Sequence, residues 1–467
     1  MSTTPPLAPV FFRLQTSQPI PVAGPWRRYL AWYQCAVLCV SLCAIYANLP
    51  VYGYVRDAAL LPKYTFFLLF LLMAPLVLAH QKAFADYLLS PFVFWAGALV
   101  AVNLIHLAGW ESSGDIGRLV LVDNYVQARA SLISTRIQYV LFAIMFGFVV
   151  STASSKAFLN TAVVLAVLLP CAVLLDFAMP GVFYPLDTNG AVLGRAAATF
   201  INPTMAGEAL LHVFLIACAV TGMKYRGPLF LLVGAGVVAT FSRGSIIAWA
   251  VLLAILAYRR TLPRGTILLT LAALGLGALS LGHFEDYLGS RDEFEGAASN
   301  ILARLDFFSS FSLGDDSAGE RASVAAAGWE LFLQNPVFGA GAGATQFWAH
   351  RGGTHNQLLM LAAEYGIFGI GLWAWLLLLL WRGRFFEDRG LQIGAVFLFA
   401  FMSMFTHQML DAASYWLATF AMASVRPAAA GVAAPQRVRR RQTGPRIQYA
   451  HRNVGGTRKL PGFGKKP

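Results

Sequence analysis

The sequence predicts an all-α integral membrane protein with about twelve transmembrane helices and a large, partly helical loop on one face. Three observations predict this class. Hydrophobic residues make up 58% of the 467 and charged residues 12%, whereas a soluble domain carries about 25% charge. The apolar residues come in blocks of about 18–22, the length that crosses a hydrocarbon core roughly 30 Å thick. The basic residues between the blocks also collect on alternate turns, as the positive-inside rule requires of a multi-pass chain.

In chain order, residues 1–28 form a polar N-terminal segment. The first apolar block, Tyr29 to Pro50, is of full spanning length with no A-x-A site at its end, so it reads as a span and not a cleaved signal. Twelve blocks follow one another, centred near Val40, Leu71, Ala101, Met145, Leu168, Phe214, Gly236, Leu252, Ala272, Leu377, Leu398 and Leu417. Nine lie within 29–282 and three within 356–425. With the N-terminus inside, the cytoplasmic turns carry Lys82, Lys156, Lys224, Arg226, Arg259, Arg260, Arg264, Arg382, Arg384 and Arg389, with Lys63 the main exception. The opposite face receives three segments, Gly109 to Arg136, Gly181 to Pro203, and the long loop of about 70 residues between His283 and Thr354. Loops that long are usually functional. Residues 321–334 of that loop are helix-compatible, and Asn335-Pro336 ends the helix. No internal repeat appears, which removes support for an inverted-repeat transporter.

The net charge of +13 is concentrated at the C-terminus, where residues 426–467 hold eleven Lys and Arg and no acid. Following the last apolar block, this tail reads as a solvated cytoplasmic segment beside anionic lipid, not as a nucleic-acid arm. The five cysteines form no metal or disulfide framework. Cys35, Cys39 and Cys43 make one stripe of the first helix, where small residues allow close helix packing, and Cys171 and Cys218 are isolated.

Candidate functional residues gather on the external side. Arg195 precedes the sixth span at the height of a lipid phosphate, and a guanidinium binds phosphate oxygens in pairs without titrating; an interfacial anchor is the simpler role. Arg243 sits in the tight turn Thr240-Phe241-Ser242-Arg243-Gly244 with no acid within ten residues. Ser242 there is placed to cap the next helix, whose N-terminus favours anions. His355, where the long loop enters the tenth span, is a candidate general base or a capping histidine. Glu364, nine residues on, falls on the opposite helix face from His355 and should pair elsewhere. Gly339, Gly341 and Gly343 follow Asn-Pro and no strand, so they read as a flexible external turn and not a nucleotide loop. The acids Glu285, Asp286, Asp292, Glu293, Glu295, Asp315 and Asp316 are spread as in a solvated loop, with a divalent-ion site the alternative.

These motifs, in order, resemble the bacterial O-antigen ligase and polymerase superfamily. They are Arg195 to Pro203, Thr240 to Gly244, Asn335 to Phe347, and His355 to Gly366; the likeness runs from about Gly194 to Gly371, with Thr204 standing where a second asparagine is expected. The resemblance implies a C-type glycosyltransferase in the bacterial inner membrane with its active site facing the periplasm. Its implied donor is an undecaprenyl-diphosphate-linked glycan and its acceptor a sugar hydroxyl of the lipid A core oligosaccharide, with inversion and without metal or cofactor. Carried over, Arg195 and Arg243 would hold the diphosphate, His355 would take the acceptor's proton, and Arg321 and Asn356 would be further substrate contacts within a catalytic loop, 283–355. A polymerase or a protein O-oligosaccharyltransferase of the same superfamily remains open, the latter disfavoured by the short basic tail. A lipid-linked sugar flippase is the rival of another class, disfavoured because the candidate charges gather at one surface.

Overall fold

The computed structural model describes residues 25–108, 124–184, 195–200, 202–279, 316–350, 352–383 and 385–425. All belong to one compact unit, and the second unit, residues 430–467, lies outside them. The N-terminal segment up to residue 24, the basic tail, residues 283–315 of the long loop and the acids from Glu285 to Asp315 are therefore also outside.

Every regular element among the described residues is a helix: α1 Pro25–Tyr46, α2 Leu49–Arg56, α3 Pro62–Ala79, α4 Gln81–Leu88, α5 Pro91–Leu107, α6 Tyr125–Thr152, α7 Ser155–Ala178, α8 Pro203–Val220, α9 Met223–Ala239, α10 Arg243–Tyr258, α11 Arg264–Leu279, α12 Asp316–Gln334, α13 Gln357–Arg382, α14 Arg389–Met402 and α15 Ser414–Ala423. All twelve expected block centres fall inside a helix. Six helices are long and apolar enough to cross a membrane, or seven if α4 and α5, bent by 67°, count as one span. The bend follows from Ser90-Pro91, since a proline disfavours helix at the residue before it. Some blocks of the second half are shorter than the expected 18–22 residues: α10 has 16 and α14 has 14.

Burial ranks the helices. The apolar window of α3 is 22% buried, so most of it faces outward, while that of α8 is 83% buried and makes α8 the central post. It is ringed by α7, α9, α10 and α14, while α6 gathers α3, α5 and α15. The cysteine stripe of α1 faces α7, with Cys39 Sγ 2.8 Å from Thr161 Oγ1. Arg226 at the start of α9 donates to Asp388 Oδ2 at 2.7 Å, and Thr261 donates to the other oxygen at 3.1 Å. These residues come from three turns that the charge pattern puts on one face, and the fold brings them together.

One expectation is corrected here. Arg136 is not part of an external segment; it lies mid-way along α6, 1% exposed. Its Nε donates to Asp411 Oδ1 at 2.8 Å, and its Nη1 to Glu364 Oε2 and the Tyr365 hydroxyl, each at 2.6 Å. Glu364 thus faces away from His355 and finds its partner in α6. Thr345 fills the second Glu364 oxygen at 2.7 Å, and Gln346 donates to Asp411 Oδ2 at 2.9 Å. Desolvated charges hold only when every remaining lone pair is also met, and these contacts meet them.

The glycine turn is also corrected, from flexible to tightly docked. Ala340 N and Gly341 N donate to the carbonyls of Ala363 and Glu364, and Ala342 N to His106 Nδ1. Gly339 has φ +76°, and a Cβ there would collide with the Glu364 backbone, so glycine is required for contact and not for mobility.

Removing the central cation should expose the cost of its partners. Arg136→Met should destabilise the protein by about 3–5 kcal/mol, the usual penalty for orphaning buried charges. Adding Glu364→Gln and Asp411→Asn should recover part of the loss. Thermal unfolding in detergent checks both, and a triple variant no more stable than Arg136→Met contradicts the account.

Candidate functional site

A cleft of about 480 Å³ opens at the end of the bundle where α8, α10 and α13 begin, and Arg195, Arg243, Arg321 and His355 all line it. These residues come from four separate stretches of chain. Each is held by local chemistry that the sequence specifies.

Arg195 is carried by the stretch leading into α8. Asp176, near the end of α7, accepts from Ala197 N and Ala198 N at 2.8 Å each. Ala196 N donates to Ala239 O, and Arg195 Nε to Thr240 O, both at 3.2 Å. The arginine is thereby fixed against the α9–α10 turn that carries Arg243. Asn202 caps α8, its Oδ1 accepting from Thr204 N at 2.8 Å, and Pro203 fills the first helical position.

Ser242 occupies the cap position of α10, but its side chain makes no capping bond. Its hydroxyl donates to Thr204 Oγ1 at 3.2 Å and accepts from Ser245 Oγ at 3.0 Å. The helix end is joined to its neighbour instead of being capped by its own serine. Thr204, the residue that departs from the expected asparagine, supplies that link. At α13 the cap is Asn356, whose Oδ1 accepts from Leu359 N at 2.9 Å. Asn356 caps the helix through Oδ1 and is not among the residues lining the cleft.

Two helix N-termini, those of α8 and α10, therefore meet a cleft lined by three guanidinium groups. Unpaired N–H groups and the helix dipole favour anions at such ends, and arginine adds a charge that no ordinary pH removes. An anion with several oxygens, such as a phosphate or diphosphate, suits this lining better than any cation.

His355 is half-buried, and its ring stands edge-on to His407 at 5.1 Å between centroids and 89° between planes. Burial, and then the Arg321 charge, pushes the His355 pKa below the ordinary value, with Glu320 pulling the other way. His407 is pushed down to about 4, by burial first and then by His355. Both settings disfavour the charged ring, and a neutral imidazole can accept a proton.

Backbone strain marks the same place. Of five non-glycine residues with positive φ among the described residues, three flank the cleft: Ala198 at 49°, Phe241 at 47° and His355 at 51°. Each costs on the order of 1–3 kcal/mol and persists only where the surroundings over-determine it.

The sequence reading missed His407, Gln346 and Gln408 as cleft residues. For two of them the signal was present, since Thr406-His407-Gln408 is a polar triplet between two apolar blocks. Among the described residues no group of three or more His, Cys, Asp or Glu is placed to hold a metal. The side chain of Asp316, like the acids before it, lies outside the described residues.

Residues 228–374 match the family model described as O-antigen ligase. The match takes in Arg243, Arg321, the glycine turn and His355, and Arg195 precedes it. A comparison with curated proteins found no match.

The electrostatic setting of His355 makes a two-sided prediction. Its ring should titrate below the ordinary histidine value of about 6.5. Arg321→Gln removes a repelling cation and should raise the midpoint; Glu320→Gln should lower it. Histidine ring resonances, assigned by their loss in His355→Gln, give the midpoints, and unmoved values in both variants contradict the setting described.

Proposed function

We propose that this O-antigen-ligase-like chain is a periplasm-facing glycosyltransferase of lipopolysaccharide assembly. It would transfer a finished glycan from undecaprenyl diphosphate to a sugar hydroxyl of the lipid A core. The single observation that carries this reading is the joint lining of one cleft by three arginines and a histidine. Arg195 and Arg243 sit beside helix N-termini, and in this proposal they grip the donor's diphosphate and stabilise the charge that grows as it leaves. Arg321, exposed at the cleft's mouth, is a further anion contact.

On the acceptor side, the Nε2 or Nδ1 of neutral His355 takes the hydroxyl proton as the oxygen attacks the anomeric carbon. The bond from that carbon to the diphosphate oxygen breaks on the opposite face, so configuration inverts. With arginines balancing the leaving charge, the step needs no divalent ion in this reading. A cleft of about 480 Å³ accommodates a diphosphate and the two reacting sugar units, and the rest of both glycans extends outside. The clustering at one end of the bundle favours transfer at a surface over a flippase, which needs polar groups along a path through the membrane.

A polymerase would use the same donor, so the two are separated by their product. Deleting the gene should remove all long-chain lipopolysaccharide and let lipid-linked glycan accumulate; a band carrying a single repeat identifies a polymerase instead.

Substitutions then test the assignment of roles. His355→Ala should abolish transfer while leaving thermal stability near wild type. Lysine keeps the charge of arginine but not its paired contact. Arg195→Lys or Arg243→Lys should therefore lose a charge-assisted hydrogen bond, about 1.5–3 kcal/mol, or a roughly ten- to hundredfold fall in turnover. Kinetics on purified protein with a fixed lipid-diphosphate donor, run with and without EDTA, decide. Near-wild-type lysine variants end the clamp, and a loss in EDTA restored by Mg²⁺ ends the metal-free mechanism.

A further inference from the structure

Helix α13 is not one straight span. Gly366 has φ 63° and ψ −142°, which breaks it into an upper piece ending at Tyr365 and a lower piece from Ile367 to Arg382. The residues of the upper piece from Met360 to Tyr365 are buried, and outward-facing apolar side chains begin at Ile367 and Phe368, 55% and 48% exposed. Sixteen residues at 1.5 Å each give the lower piece a length of about 24 Å, some 6 Å short of a hydrocarbon core of about 30 Å.

The missing apolar height lies directly above the break. Ile367 N donates to Pro336 O at 2.8 Å, so the turn after α12 sits on top of the lower piece. Phe338 of that turn stacks on Phe368 at 5.5 Å between centroids. Val337 and Phe338 are exposed, and so are Trp329 and Leu333 on the adjoining α12. Helix α12 packs against α13 through Val324, Gly328 and Leu331. Its open side carries the stripe Ala322, Ala326, Trp329 and Leu333, at helical spacing. A helix in a solvated loop has no reason to present a second apolar face to water.

We propose that this open face of α12, continued by Val337 and Phe338, rests in the headgroup region of the bilayer on the cleft's side. The partner it fits is the lipid surface itself. Continuity with Ile367 and Phe368 places it at the right height, and tryptophan is the side chain most favoured at such a boundary. Part of the long loop is then an interfacial helix, which holds Arg321, two turns before Trp329, close to the plane of the lipid phosphates.

The test is independent of catalysis. In a full-length background with the five native cysteines replaced, single cysteines at Trp329, Leu333 and Ser323 carry an environment-sensitive fluorophore. The variants are reconstituted in phosphatidylethanolamine–phosphatidylglycerol vesicles. Labels at 329 and 333 should be quenched by lipids brominated near the headgroup and protected from aqueous iodide, and the label at 323 should show the reverse. Iodide access at 329 and 333 equal to that at 323 overturns the proposal. Protection from both quenchers overturns it too, since a protein segment or a second copy then covers the face.

Discussion

A guanidinium enclosed in an apolar bundle has to be met on every side, and meeting Arg136 organises the rest of this molecule. Its two carboxylate partners come from α13 and from the turn between α14 and α15. The hydrogen bonds that complete them come from Thr345 and Gln346 in the glycine turn. One cation therefore fixes the relative positions of three segments that border the cleft. Tyr365 extends the network to Asn103 of α5 at 2.9 Å. Desolvation makes such a network weak evidence for stability as such, and better evidence for a specified geometry.

The cleft itself follows the opposite logic. Where the core encloses one arginine, the cleft brings Arg195, Arg243 and Arg321 to one lining beside the starts of α8 and α10. Strained backbone at Ala198, Phe241 and His355 costs stability at the edge of the cleft. The energy is held in the shape of a lining suited to an anion, and neighbours such as Asp176, with its two backbone amides, hold it there. Binding an anion there is then not opposed by the cost of assembling the site.

Much of this was legible in the sequence. Hydropathy placed each expected block centre on a helix, but only six or seven of the described helices have the length and apolarity of a span. Charge sorting brought Arg195, Arg243, Arg321 and His355 to one face, because arginines and lysines are biased by side. The rest failed for physical reasons. Arg136 looked external because an interior ion pair has no local pattern; its partners lie 228 and 275 residues away. The glycine turn looked flexible because composition reports what glycine permits and not what presses against it. The cap that Asn356 places on α13 was not legible either, because it depends on where the helix begins, which hydropathy blurs by several residues. The kink at Gly366 was hidden inside an unbroken apolar run.

The long separation of Arg136 from its partners also has a consequence in time. Chains are made from the N-terminus at roughly 5–20 residues per second, so α6 enters the membrane some ten to fifty seconds before Glu364 and Asp411 exist. Through that interval its arginine is a guest in hydrocarbon, at a cost of about 2.5–3.5 kcal/mol on an isolated inserting helix. The flanking apolar residues of α6 must carry it in alone, or a water-filled path must shelter it until the last helices arrive. Assembly of the bundle is thus completed from its C-terminal end, and a chain truncated before Asp411 keeps the arginine without its full counter-charge.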